Sequence, residues 1–269
     1  MPWSAIRKEL SQMRIVIKVG TSTLTYRNGC VNIRKIESLC KIVSDIMNAG
    51  HEVILVSSGA IGMGVGKLRL SKRPEDIAGK QACAAVGQCE LMYTYDKLFL
   101  EYNHTVAQIL LTAPDLGCED RHEKFINTMS RLIEYKVLPI INENDTVATE
   151  EIVFGDNDTL AAKVAVSIKA DLLILMSDID GLYTADPRKD PNAQIVHEVR
   201  ELSSEIMALG GDAGSALGTG GMVTKLRAAA IATEAGCDMI ITNGAYPERL
   251  YDILDGESVG TRFYASKRA

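Results

Sequence analysis

Short, almost wholly apolar runs alternate along this chain with longer segments of helical period. The runs fall at residues 15–19 (IVIKV), 53–56 (VILV), 106–111 (VAQILL), 138–141 (LPII), 172–176 (LLILM) and 239–242 (MIIT). A strand with one wet face alternates polar and apolar positions. These runs stay apolar throughout, the pattern of strands buried on both faces of a parallel sheet. Between them the spacing predicts helices over 33–49, 74–102, 120–135, 159–168 and 225–235. Gly50 and Gly236 stand one residue past two of these helices, where a left-handed terminal residue is expected. Strand–helix alternation to the end of the chain predicts an α/β fold, with ligands received by the loops after the strands' carboxyl ends. The stretch from Asp178 to Gly221 reads as irregular, its DPRKDPN and GGDAGSALGTGG segments marking turns and a glycine-rich loop.

Composition narrows the picture. At about 150 residues per domain, the length corresponds to about 1.8 domains. No linker, internal repeat or low-complexity tract divides the 269 residues, so a single domain over 1–269 is expected, with 1–13 as an N-terminal extension. An apolar share of 46% and a charged share of 24% are those of an ordered globular chain. Twenty-nine Lys and Arg against 35 Asp and Glu leave a net charge of −6. That balance argues against nucleic acid or an anionic membrane as partner, and leaves room for a local cationic site. No run approaches 18 apolar residues, so no membrane span is expected. Arg7, Lys8 and Glu9 interrupt the place where a signal peptide would need its apolar segment. Six widely spaced cysteines make neither a CxxC nor a zinc-ligand pattern, and read as reduced thiols of a cytoplasmic protein, most of them buried. The four histidines lie apart with no nucleophile motif beside them, and Trp3 is expected to pack the extension onto the body.

Two common phosphate fingerprints are absent. The Walker pattern fails around Gly66-Lys67, with Ile61 where a glycine is needed and Leu68 after the lysine. The GxGxxG pattern fails because Gly62, Gly64 and Gly66 recur at every second position. In their place, small-residue loops follow three strands directly: Lys18-Val19-Gly20-Thr21-Ser22, Ser57-Ser58-Gly59-Ala60 and Ser177-Asp178-Ile179-Asp180-Gly181. Glycine backbone, hydroxyls and a lysine are the donors a phosphate needs, and a common sheet brings strand-end loops to one cleft. A fourth loop, Gly218-Thr219-Gly220-Gly221-Met222-Val223-Thr224-Lys225, opens a helix with Lys225 in its first turn. That combination suits the terminal phosphates of a nucleotide; the plainer alternative is a solvated surface lysine. Asn142-Glu143-Asn144-Asp145 and Phe154-Gly155-Asp156-Asn157-Asp158 read either as two tight turns or as groups that receive an α-amino group or fix a lysine. Lys18 interrupts an apolar strand. A lysine is almost never buried unpaired, so it is expected to point into the cleft toward a carboxylate such as Asp158.

Taken in order, KVGTSTL, VSSGAIGMG, INENDTV, FGDNDTLAAKVA, SDIDGLYTADPR and GTGGMVTKLRAA make the sequence resemble the glutamate 5-kinases of the amino acid kinase superfamily, over roughly residues 15–263. The individual loops recur across amino acid kinases, whereas NENDTV followed by FGDND and GTGGMVTK is specific to the glutamate enzymes. The resemblance implies a three-layer αβα sandwich around a mostly parallel eight-stranded sheet. It implies ATP-dependent phosphorylation of the γ-carboxylate of L-glutamate to L-glutamyl 5-phosphate, the first step of proline biosynthesis. Mg²⁺ would be held mainly through the ATP phosphates, without a direct protein ligand. Feedback inhibition by proline and a homo-oligomer, dimer or tetramer, are implied as well. The labile acyl phosphate product suggests transient contact with glutamyl phosphate reductase.

Carried onto this chain, the resemblance assigns Lys18 and Lys225 to phosphate neutralisation and Asp158 to their orientation. It assigns Ser58, Gly59, Asp145 and Asn157 to glutamate. Lys18, Gly20, Thr21, Ser177, Asp178 and the run Thr219, Gly220, Gly221, Met222, Val223, Thr224, Lys225 fall to the nucleotide. An acetylglutamate or aspartate kinase is the nearest alternative, and Asp145 with Asn157 speaks for a substrate with a free α-ammonium. A non-catalytic sensor on the same fold would be expected to have lost Lys18, Lys225 or Asp158, and all three are present. Only six residues follow Phe263, so the C-terminal PUA domain of many relatives is expected to be missing.

Overall fold

The computed structural model describes residues 12–26, 29–147, 157–210 and 221–266. Nearly all of the N-terminal extension, Trp3 included, lies outside them. The strands are β1 (Arg14–Val19), β2 (Glu52–Ser57), β3 (Val106–Leu111), β4 (Leu138–Glu143), β5 (Leu172–Ser177), β6 (Leu182–Tyr183), β7 (Ile195–Val196), β8 (Glu198–Val199), β9 (Asp238–Asn243) and β10 (Thr261–Phe263). All six apolar runs are strands, five of them extended by one or two residues and β3 with the bounds expected. Eight strands form one sheet in the order β3-β4-β2-β1-β5-β9-β10-β8. Its pairs are parallel except β9 with β10. The mostly parallel, eight-stranded expectation therefore holds. β6 and β7 make a separate antiparallel ribbon within the stretch that reads as irregular.

The helices are α1 (Thr21–Leu24), α2 (Ile33–Asn48), α3 (Ala60–Lys67), α4 (Ile77–Leu100), α5 (Ala113–Gly117), α6 (Glu119–Glu134), α7 (Asn157–Ser167), α8 (Ser204–Ala208), α9 (Met222–Glu234) and α10 (Arg249–Leu254). Gly50 at φ 102° and Gly236 at φ 86° end α2 and α9 in the left-handed region, where a side chain would be strained. The long helix begins at Ile77 rather than 74 because the Asp76 side chain caps it, accepting from the Gly79 N–H at 2.7 Å. Two apolar cores lie on opposite faces of the sheet. Ile15 and Ile17 of β1 pack with α2, α4 and α10, and Val16 packs with α6, α7 and α9. Side chains alternate along a strand, so Lys18 shares the face of Val16 and is turned toward α7 and α9.

The helix α3 carries three glycines, which ordinarily weaken a helix, and it is not among the helices that the spacing predicts. The structure shows why it is nonetheless helical: α3 lies against α4 at backbone distance. A Cβ on Gly64 would run into the Cys83 carbonyl, and one on Gly87 into the Ala60 carbonyl. The thiols divide evenly, with Cys40, Cys83 and Cys237 buried and Cys30, Cys89 and Cys118 exposed. Burial pushes the Cys237 thiol up to about 12, so it behaves as a small apolar group. No helix among the described residues is long and apolar enough to cross a membrane.

Alanine ordinarily favours a helix over glycine. Gly87→Ala is nevertheless expected to cost about 1–3 kcal/mol by overpacking, read as a lower thermal midpoint. An unchanged or raised midpoint would mean that α3 and α4 are not held at this distance.

Candidate functional site

The loops after four adjacent strands are laced together. The Val19 carbonyl accepts from Ser58 N–H at 3.0 Å, Met176 from Gly20 at 3.2 Å, and Ser177 from Gly244 at 2.7 Å. The carboxyl ends of β2, β1, β5 and β9 thus present one continuous rim. Gly59, at φ 104°, turns the chain from β2 into α3 through a conformation that only glycine adopts freely.

At the centre of the rim, Asp158 in the first turn of α7 is 1% exposed. Lys18 Nζ lies 2.7 Å from its Oδ1, and Lys225 Nζ lies 3.0 Å from its Oδ2. The Thr224 hydroxyl stands 3.0 Å from the same Oδ2 and 2.8 Å from the Gly221 carbonyl. Burial alone would push the Asp158 carboxyl up. The two ammonium groups outweigh that and hold it well below the usual carboxylate range. Lys18 thus has the partner expected of it. Lys225 is 4% exposed, which rules out the surface-lysine alternative. Two positive charges meet one negative charge, leaving a net positive centre walled by protein.

The neighbouring residue of α7 faces the other way. Asn157 Nδ2 donates to the Asn142 Oδ1 at 2.9 Å, to the Ser58 hydroxyl at 3.0 Å and to the Ser57 carbonyl at 3.2 Å. Ser58 and Asn157 are therefore brought together beside the cationic centre. Asp145 follows in the turn after β4 and is not hydrogen-bonded to either of them. Burial pushes its carboxyl up to about 6, against a partial pull from the Arg73 guanidinium. Asn142, at the end of β4 and 2% exposed, joins these residues and was not singled out within its loop by the sequence reading.

On the other flank, Gly20 and Thr21 continue β1. The Ser177 hydroxyl donates to Asp178 Oδ1 at 3.2 Å at the end of β5. Gly221 begins α9, and among the described residues no side chain caps that helix. The first N–H groups of Met222 and Val223 are thus on the rim, where a helix N-terminus favours an anion. Thr219 and Gly220 lie outside the described residues. A further cluster escaped the sequence reading: Asp180 Oδ1 accepts from Asn243 Nδ2 at 3.2 Å and from Arg249 Nη1 at 3.1 Å, with the Arg249 guanidinium 4.8 Å from the Tyr246 ring. Its members are up to 69 residues apart, a separation that no local motif spans.

A sequence profile described as the amino acid kinase family matches residues 13–243. The "Glutamate 5-kinase" of Clostridium perfringens is 55% identical over 267 residues, covering 97% of this chain and 99% of that protein. The "Glutamate 5-kinase" of Listeria monocytogenes is 51% identical, covering 94% of each. Among solved structures, carbamate kinase from Giardia lamblia bound to AMP-PNP superposes with a TM-score of 0.66 at 18% identity, covering 96% of this chain and all of that one. UMP kinase from Ureaplasma parvum superposes with a TM-score of 0.64 at 18% identity, over 94% of this chain and 99% of that one. These two likenesses concern the fold.

Asp158→Asn removes the counter-charge between two nearly buried ammonium groups. It is expected to cost about 3 kcal/mol in urea unfolding at pH 7. Because the folded carboxyl is held below its unfolded value, its contribution is fully present above the usual carboxylate range and is lost as pH falls through the depressed value. The gap between the two proteins should therefore persist at pH 5. Equal stabilities at pH 7 would contradict the ion-pair account.

Proposed function

The chain belongs to the amino acid kinase family and, within it, to the glutamate 5-kinases, and from this premise we propose how its cleft carries out their reaction. ATP phosphorylates the γ-carboxylate of L-glutamate to L-glutamyl 5-phosphate, the first step of proline biosynthesis. A glutamate side chain with a pKa of about 4.3 is ionised at neutral pH, so the nucleophile needs no general base. The difficulty lies in bringing a carboxylate up to a polyphosphate.

We assign Lys18 and Lys225 to that task. Each ammonium has three N–H donors and is held at the rim by its contact with Asp158, so the pair brings concentrated positive charge to the phosphate oxygens. Preorganised positive charge of this kind stabilises the transferring phosphoryl group without rearrangement. Thr21 and the start of α9 would receive the β- and γ-phosphates on backbone N–H groups, and Gly20, whose own N–H is taken by the Met176 carbonyl, would let the phosphates approach closely. Ser177 and Asp178 would line the nucleotide side of the cleft. Mg²⁺ enters as the companion of the ATP phosphates and, when bound, neutralises their charge; the hydroxyl of Ser177 and carboxylate of Asp178 are hard oxygen groups that fit its hydration shell. Ser58, Gly59, Asn157 and Asp145 would hold glutamate, with Asp145 as counter-charge to the α-ammonium. The observation that carries the assignment is the buried Lys18–Asp158–Lys225 bracket lying one residue away from the Asn157–Ser58 pair.

The same reading takes residues 1–269 as one kinase domain in the cytoplasm, inhibited by proline, assembled as a dimer or tetramer, and in transient contact with glutamyl phosphate reductase. Family likeness and the uninterrupted sheet are its support.

ADP release under Mg-ATP should be fastest with L-glutamate, compared with L-aspartate and N-acetylglutamate. Preference for either of the others would overturn the substrate assignment. Asp145 must be ionised to pair with an ammonium, and its carboxyl sits at about 6. Protonation on the acid side removes the pairing, so kcat/KM for glutamate should fall as pH drops through that value. In Asp145→Asn the fall should be absent and KM high throughout; a pH profile matching the wild type would refute this role.

A further inference from the structure

We propose that Gln88, in the middle of α4 and remote in sequence from every loop of the cleft, is a positioning residue that anchors Asn142 and, through it, holds the Asn157 amide in place against the substrate. The proposal rests on the reading of Asn157 as part of the glutamate pocket. An amide side chain carries a donor at one end and an acceptor at the other in nearly the same shape. Turned over, Asn157 would point two N–H groups at an ammonium and repel what it should bind.

Two main-chain groups determine the orientation. The Glu143 N–H can only donate, and it lies 2.9 Å from Asn142, so the Asn142 atom it meets is Oδ1. The Ser57 carbonyl can only accept, and it lies 3.2 Å from Asn157, so the Asn157 atom it meets is Nδ2. The two assignments agree, because Asn157 Nδ2 also donates to Asn142 Oδ1. With Nδ2 committed to these partners, the oxygen of Asn157 is the end the cleft can offer to a cation.

This arrangement leaves the other end of Asn142, a donor, deep in the protein. Its acceptor is Gln88 Oε1 at 2.9 Å. Gln88 Nε2 in turn donates to Gln108 Oε1 at 3.2 Å on the edge strand β3. Gln88 is 9% exposed and lies between Gly87 and the buried turn of Leu91. A buried amide is costly unless both ends are satisfied. Here both ends are, and the result is a chain of side-chain amides in which each donates to the next, from Asn157 through Asn142 and Gln88 to Gln108.

Without the Gln88 acceptor the buried Asn142 Nδ2 is left unmet, so Asn142 is no longer anchored on that side and holds the Asn157 amide less firmly. The test compares wild type with Gln88→Met, close in volume but a poor acceptor, and with Gln88→Glu, whose carboxyl offers Asn142 an acceptor in either protonation state. Gln88→Met should raise KM for L-glutamate about tenfold or more, the effect of one unmet buried polar group. Its kcat and its KM for ATP should stay near wild type. Gln88→Glu should keep the wild-type KM. An unchanged KM in Gln88→Met, or a KM in Gln88→Glu as high as in the methionine variant, would each overturn the proposal. Asn157→Ala separates the two levels. If it raises KM and Gln88→Met does not, only the role of Gln88 fails; if it leaves KM for glutamate unchanged, the pocket reading and the proposal fall together.

Discussion

Two lysine ammonium groups are held within hydrogen-bonding distance of one carboxylate in a site that is almost closed to water, and much of the molecule is arranged around that constraint. Neither lysine could sit so deep alone, since an unpaired buried charge is costly. Asp158 makes both tolerable and leaves one positive charge in excess. Three elements must converge for this to happen. β1 delivers Lys18 through the alternation of its side chains, α7 delivers Asp158 in its first turn, and α9 delivers Lys225 in its own. The sheet order, with β1 at the centre between β2 and β5, allows the helices packed on one face to reach the same strand end.

Consecutive residues of α7 divide the labour. Successive helical side chains point about 100° apart. Asp158 therefore faces β1 and α9, while Asn157 faces the ends of β2 and β4. In the proposed reading, one rigid turn of helix sets both the place of the transferring phosphoryl group and the place of the acceptor. Such registration matters because a shift of about an ångström between reacting groups costs orders of magnitude in rate. The close contact of α3 with α4 serves the same end from below, since α3 starts from the loop that carries Ser58 and α4 carries Gln88.

The parts of this design legible in the sequence are those encoded locally. Apolar runs marked all six long strands, and the interruption of one of them by Lys18 pointed to a carboxylate across the cleft. The glycine-rich opening of α9 marked Lys225. What escaped was set by distant pairing. Asn142 and Gln88 are 54 residues apart, and Arg249 and Asp180 are 69 apart; nothing in the neighbourhood of either residue names its partner. The helix α3 went unpredicted because glycine serves both loops and close helix packing, and only Cys83 opposite Gly64 and Ala60 opposite Gly87 decide which. Strands of two or three residues, such as β8 and β10, are too short to show a period at all.

If the bracket around Asp158 exists to place charge on the transferring phosphoryl group, the charge of Lys225 should matter to the chemical step and hardly at all to the acceptor. The direct measurement is kcat for Lys225→Ala beside the dissociation constant for L-glutamate measured by calorimetry. The account predicts a fall in kcat of about a hundredfold or more, the size typical of losing one preorganised electrostatic group, with glutamate binding little changed. An unchanged kcat, or a loss confined to glutamate affinity, would contradict it.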